Sequence, residues 1–171
     1  PSGLHFRRTA GKVLGVDPDA ILIGNGSDDL LTILTRTFVP EGGVIASPTP
    51  SYILYRSLAE IQGAGFRTVP FDEDWSLPDP WPIPDADLTF LPNPNSPSGT
   101  VIAGSAIERL ADSLKNPLVL DEAYVDFAPK NGLRFASEKV IVTRSLSKSY
   151  CLAGIRFGYA VADPALVSEL N

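Results

Sequence analysis

The 171-residue chain contains no methionine, one cysteine and one histidine. With methionine missing even at position 1, the chain is expected to be a piece of a longer protein. The lone Cys151 has no partner for an internal disulfide, which fits a reducing, cytoplasmic setting. With His5 the single histidine and far from the acidic pair Asp121-Glu122, a metal centre is not expected, since the usual sets need further His or carboxylate ligands. No apolar run approaches the roughly 18 residues of a membrane helix, and Pro1 to Arg8 lacks the apolar stretch of a signal peptide. Excess positive charge is missing as well. Fourteen basic against 20 acidic residues leave a net charge of −6, which speaks against nucleic acid as the main partner. An acidic average still permits one local phosphate site.

Composition is otherwise that of a globular domain, 44% hydrophobic and 20% charged, and the length suffices for one core. Helical spacing is expected over residues 4–14, 28–38, 52–61 and 164–170. A helix over 105–114 is expected to open with a capping box of Ser105 and Glu108. Short apolar runs at 20–23, 44–46, 65–69, 88–91, 118–120, 140–142 and 157–161 read as strands. Residues 72–87, rich in Pro and Asp, read as a surface connection. Strands alternating with helices predict an α/β domain, a three-layer structure in which helices flank a mostly parallel, mixed sheet. Ligands in such sheets bind beyond the carboxyl ends of the strands. Four polar segments fall there: Gly24 to Asp29, Asn93 to Gly99, Asp121 to Tyr124 and Ser145 to Lys148.

Each segment has a functional and a plain reading. Gly24-Asn25-Gly26-Ser27-Asp28-Asp29 can cradle a phosphate on free N–H groups at a helix start, or be a tight turn capped by Ser27 or Asp28. It is not a P-loop, because no Gly-Lys-Ser/Thr follows. Asp121, at a strand end, can hold a protonated pyridine nitrogen, or simply form a turn beside a surface Tyr124. Ser145-Leu146-Ser147-Lys148, with Arg156 downstream, combines an amine nucleophile with donors for a dianion, or is a solvated basic loop. Tyr52 can stack on a flat ring, or pack.

Together these segments resemble the fold-type I pyridoxal-phosphate (PLP) aminotransferases, and within them the histidinol-phosphate aminotransferase branch. The stretches that carry the resemblance are GVDPDAILIGNGSDD, SPTPSYILY, LPNPNSPSGT, LVLDEAYVDF and VTRSLSKSYCLAGIRFGY. It implies the large, aspartate aminotransferase-like domain, with the family's N-terminal arm and C-terminal small domain lying outside residues 1–171. It implies Lys148 as the Schiff-base lysine, Asp121 on the pyridine nitrogen, Tyr124 on the ring's phenolic oxygen and Tyr52 stacked on the ring. The backbone at Gly26, Ser27 and Asp28, with Ser145, Ser147 and Arg156, would hold the phosphate. Where the family has Asn before its Pro-Thr-Gly loop, this chain has Ser96. Asn95 is expected to reach the ring oxygen instead, with Asn93 and Ser96 as alternatives. The partners implied are an amino donor, a 2-oxo acid and a second copy in a homodimer. The competing readings are a threonine-phosphate-type decarboxylase on the same fold, or a truncated, non-catalytic PLP-binding domain.

Overall fold

The computed structural model describes residues 3–171. Helix α1 (Leu4–Leu14) ends at Gly15, whose φ of 70° turns the chain out of the helix. Asp17 then caps a short 3-10 turn by accepting from the Asp19 N–H, and β1 (Ile21–Gly24) follows. Next come α2 (Ser27–Phe38), β2 (Val44–Thr49), α3 (Leu54–Gln62) and β3 (Gly65–Pro70). The second half runs β4 (Leu88–Pro92), α4 (Gly104–Ser113), β5 (Leu118–Asp121), β6 (Val140–Ser145), β7 (Gly158–Val161) and α5 (Pro164–Leu170). Among the described residues no helix is long and apolar enough to cross a membrane.

The seven strands form one sheet in the order β1-β7-β6-β5-β4-β2-β3. β2 to β6 are mutually parallel along that order, while β7 runs antiparallel to both β6 and β1. The sheet is therefore mixed, and the expected class is met. Strands β4, β5 and β6 are buried along their whole length. That explains their continuous apolar runs, since both faces are covered by helices. One face packs α2, α3 and α5 through Leu30, Leu34, Tyr55, Leu58 and Val167. The other packs α4 through Ile107 and Leu110, together with the 72–87 connection. That connection is more than surface: Leu77 and Trp81 are buried against the sheet. The expected capping box is also absent. α4 starts one residue early, from Ala103 with no side-chain cap, and Glu108 accepts from Arg134 instead.

Register lines up the carboxyl ends of β1, β4, β5 and β6 with the amino end of the antiparallel β7. Pro92 of β4, Asp121 of β5 and Thr143 of β6 are neighbours across the sheet. Ser145 of β6, Gly158 of β7 and Gly24 of β1 form a second row two residues further along β6. At Gly158 a side chain is excluded: a Cβ would lie 2.6 Å from the Gly26 carbonyl carbon and strike the Ser27 nitrogen. The start of α2 is thus pressed onto the sheet. Replacing Gly158 by alanine should destabilise the chain by about 1–3 kcal/mol. Denaturant unfolding checks this: the midpoint should fall, and an unchanged midpoint would mean that α2 does not rest on β7 at this point.

Candidate active site

Asp121 ends β5 on the inside of the molecule, 4% exposed. Three donors surround its carboxylate. The Tyr55 hydroxyl on α3 donates to Oδ2 at 2.8 Å, the Thr143 hydroxyl on β6 to Oδ1 at 3.3 Å, and the Ala123 N–H to Oδ1 at 3.2 Å. Burial pushes the carboxyl up from its ordinary value, and these hydrogen bonds, Tyr55 first among them, pull it back down. Tyr55 is itself fully buried, its ring stacked on Phe90 at 4.5 Å and 9°. Burial, then the Asp121 charge, raises the Tyr55 phenol well above its usual range. The phenol therefore stays protonated and donating.

Above Asp121 opens a cavity of about 180 Å³. Tyr52, Tyr124 and Lys148 line it, together with Ser27, Asp28, Ser145, Ser147 and Arg156. The Lys148 amine lies 5.1 Å from the centre of the Tyr124 ring. Tyr52 meets Tyr55 edge to face at 5.6 Å and 88°, and its hydroxyl is 3.5 Å from Asp28 Oδ1. Arg156 sits at φ 56° with Nη2 3.6 Å from Asp28 Oδ2. Gly26, at φ 90°, lies so close that a Cβ there would stand 2.6 Å from the Arg156 Nη2. Helix α2 carries no side-chain cap, so the capping role considered for Ser27 or Asp28 is not realised. The uncapped first turn leaves N–H groups for an acceptor, beside a guanidinium.

The cavity wall gathers nine expected residues: Ser27, Asp28, Tyr52, Asp121, Tyr124, Ser145, Ser147, Lys148 and Arg156. Gly26 supports it from behind Arg156. Asn95 does not line this cavity. Its amide nitrogen donates to Ser98 Oγ at 2.8 Å and to the Pro50 carbonyl at 3.2 Å, which ties the loop together. Asn93 is also engaged, its Oδ1 accepting from the Ile102 N–H. The loop residues on the cavity wall are Pro94 and Ser96, so of the three loop candidates only Ser96, one of the alternatives, faces this cavity. Tyr55 and Thr143 were not anticipated. The signal for Tyr55 lies in its place within the apolar stripe of α3, since a buried phenol needs an acceptor.

The neighbour of Asp121 turns the opposite way. Glu122 Oε2 accepts from Arg144 Nε at 2.9 Å and Nη2 at 2.7 Å, and Oε1 takes the Gly132 N–H. Both charges are buried. Burial raises the Glu122 carboxyl, and the guanidinium opposes that rise. Truncating Arg144 to alanine leaves the carboxylate unpaired and should cost about 3–5 kcal/mol near neutral pH. Without Arg144 the folded-state pKa of Glu122 rises further above its unfolded value. The native state then binds the extra proton as pH falls through that raised value, and the deficit shrinks on acidification. Unfolding curves of wild type and variant at neutral and mildly acidic pH test this. A gap that does not narrow would mean that Glu122 carries no buried charge.

The set comprises an amine, a buried carboxylate held by neutral donors, two phenols, and a guanidinium with hydroxyls at a helix start. It suits a flat ring with a basic nitrogen at one end and a phosphate at the other. Comparison with known proteins agrees. The family model described as aminotransferase class I and II matches residues 4–171. A histidinol-phosphate aminotransferase of Rhodopirellula baltica is 52% identical over 100% of this chain and 49% of its own length. One from Trichormus variabilis is 43% identical over 99% of the chain and again 49% of its own length. The chain thus spans about half the length of the curated relatives it matches. Among solved structures, the histidinol-phosphate aminotransferase of Sinorhizobium meliloti in complex with pyridoxal-5'-phosphate superposes with a TM-score of 0.87 at 27% identity, covering 99% of this chain and 49% of that one. L-threonine-O-3-phosphate decarboxylase of Porphyromonas gingivalis gives 0.87 at 25% identity, covering 99% and 55%.

Proposed function

The chain belongs to the aminotransferase class I and II family, and on that premise we propose that it is the cofactor-binding large domain of a PLP-dependent aminotransferase acting on histidinol phosphate or a related amine, with a 2-oxo acid as acceptor. The observation that carries this is the convergence of Lys148, Asp121, Tyr124 and Arg156 on one cavity. The donor set fits the cofactor. A carboxylate buried without an ion pair among the described residues stands where a pyridinium N–H would meet it, and the uncapped start of α2 with Arg156 offers a phosphate both N–H groups and charge.

When bound, PLP supplies an electron sink that acidifies the Cα–H of an amino acid and stores its amino group. Each residue serves that chemistry by position. Asp121 would keep a proton on the ring nitrogen, and that cation would offset the cost of burying the carboxylate. Tyr124 donates to the ring oxygen, and Ser96 faces the same space. Tyr52 covers one ring face. Arg156, Ser145, Ser147 and the N–H groups from Gly26 to Asp28 hold the phosphate. Lys148 would hold the cofactor through its amine and would be the base positioned to take the proton from the substrate Cα. A homodimer in the cytoplasm completes the reading. The exposed Phe127, Tyr150 and Ile155, close in sequence to Tyr124, Lys148 and Arg156, and the free Cys151 are in keeping with it.

A decarboxylase is the second reading, favoured by the equal structural likeness to the threonine-phosphate enzyme. The identity of 52% to an aminotransferase, against 25% to that decarboxylase, supports the first. Conversion of the bound cofactor that requires a 2-oxo acid for its return identifies transamination, whereas release of CO₂ without one identifies the alternative.

Borohydride reduction of the PLP-loaded chain should fix the cofactor on Lys148, and Lys148→Ala should abolish the adduct. A modified peptide containing Lys12, Lys115, Lys130 or Lys139 instead would overturn the assignment. Arg156→Ala should weaken PLP by about 10- to 100-fold, the worth of a charge-assisted hydrogen bond, while phosphate-free pyridoxal loses little. Equal losses for the two ligands, read by equilibrium titration, would make Arg156 a packing residue.

A further inference from the structure

We propose that Tyr55 is a positioning residue for the electron sink: its buried hydroxyl fixes the charge and orientation of Asp121, and through them the grip on a protonated ring nitrogen. The inference rests on the PLP reading above and extends it to Tyr55, a fully buried side chain in the wall of the same cavity.

The geometry is specific. The hydroxyl is 2.8 Å from Asp121 Oδ2, the shortest hydrogen bond this carboxylate receives. Tyr55 has no exposed surface, and its ring is clamped flat against Phe90 and edge-on to Tyr52. A phenol so held has one direction in which to donate. Stacking against the strand thus becomes a fixed aim at the carboxylate, with little side-chain freedom left to lose. The clamp also ties Tyr55 to Tyr52, its edge-on neighbour on the cavity wall.

Energetics support the same role. Facing Asp121 are Tyr55 and Tyr52 from the α3 segment, Thr143 from β6, and Asp28 at the start of α2, with Tyr124 and Lys148 across the cavity. Burial and the Asp28 charge favour the neutral carboxyl. The Tyr55 hydroxyl is the strongest of the hydrogen bonds that favour the anion. Without it Asp121 protonates more readily, and a neutral carboxyl attracts a pyridinium less.

The test compares PLP with 1-deaza-PLP, which has a ring CH in place of the nitrogen, by equilibrium binding to the chain. The ratio of the two affinities isolates the ring-nitrogen contact. Tyr55→Phe should shrink that ratio by about fivefold and leave the PLP-to-pyridoxal ratio, which reads the phosphate end, unchanged. In an Asp121→Asn background Tyr55→Phe should have no further effect on the nitrogen ratio. 3-Fluorotyrosine placed at position 55, a stronger donor, should raise the ratio, and this arm decides the matter should Tyr55→Phe fold poorly. A nitrogen ratio unchanged in both variants, or PLP and its deaza analogue weakened equally, would reduce Tyr55 to a packing residue. Failure of the wild-type chain to bind PLP would overturn the functional reading as well, so the two outcomes are distinct.

Discussion

A carboxylate sealed at the end of a central strand is the constraint on which the rest of this structure turns. Burying an ion costs several kcal/mol even after relaxation, on the order of what a whole domain has in reserve. The fold meets that cost at Asp121 from three directions at once. α3 sends Tyr55, β6 sends Thr143, and the turn after β5 supplies the Ala123 N–H. All three donors are neutral. They hold the charge in place without cancelling it, so the field of Asp121 remains directed into the cavity above. The position of α3 over the sheet, the register of β5 with β6, and the tight turn at 121–123 are each conditions for that arrangement.

The other end of the cavity is built from backbone rather than from charge. Gly158 lets the start of α2 settle onto β7, and Gly26 lets Arg156 lie against the same turn. Ser145 stands two residues beyond Thr143 on β6, roughly 7 Å further along the strand. The separation between the buried acid and the cluster of N–H, hydroxyl and guanidinium donors is therefore set by strand geometry. Side-chain rotamers adjust it little. Sheet register thus sets the distance between the buried acid and the donor cluster.

Much of this was legible in the sequence, for identifiable reasons. Strands β4, β5 and β6 are buried on both faces, so their apolar runs are unbroken and easily found. The residues that face the cavity sit in polar strand-end segments, where serines and Lys148 stand out against the apolar runs before them. What escaped notice depends on packing partners distant in sequence. Tyr55 reads as one more apolar residue of α3 until Asp121, 66 positions on, is seen beneath its hydroxyl. Ser105 and Glu108 satisfy the local rule for a capping box. Arg134, brought in by the loop after β5, takes the glutamate, and the helix begins a residue earlier than the rule implies. Asn95 carries the amide the resemblance called for, yet the loop takes its Nδ2 donor for its own closure, and Ser96 is the polar loop residue on the cavity wall. Local pattern therefore located the segments, while tertiary contact decided which side chain in each segment faces inward.

The adjacent acids Asp121 and Glu122 show how the same residue type is put to opposite uses. Successive side chains near the end of an extended strand leave in opposite directions. Glu122 is sent to Arg144, which grips one carboxylate oxygen through two nitrogens, while the Gly132 N–H takes the other. Its charge is neutralised on the spot, and the pair locks the loop at 132 to the sheet. Asp121, on the other side, meets hydroxyls and an amide but no cation among the described residues. Both carboxyls are raised by burial. Only Asp121 would gain electrostatically from a cation arriving in the cavity. A buried acid with its own cation is complete and serves the fold; one held by neutral donors is incomplete until a positive ligand joins it. By that criterion Asp121 is the carboxylate left open to a cation in the cavity, and Glu122 beside it belongs to the scaffold.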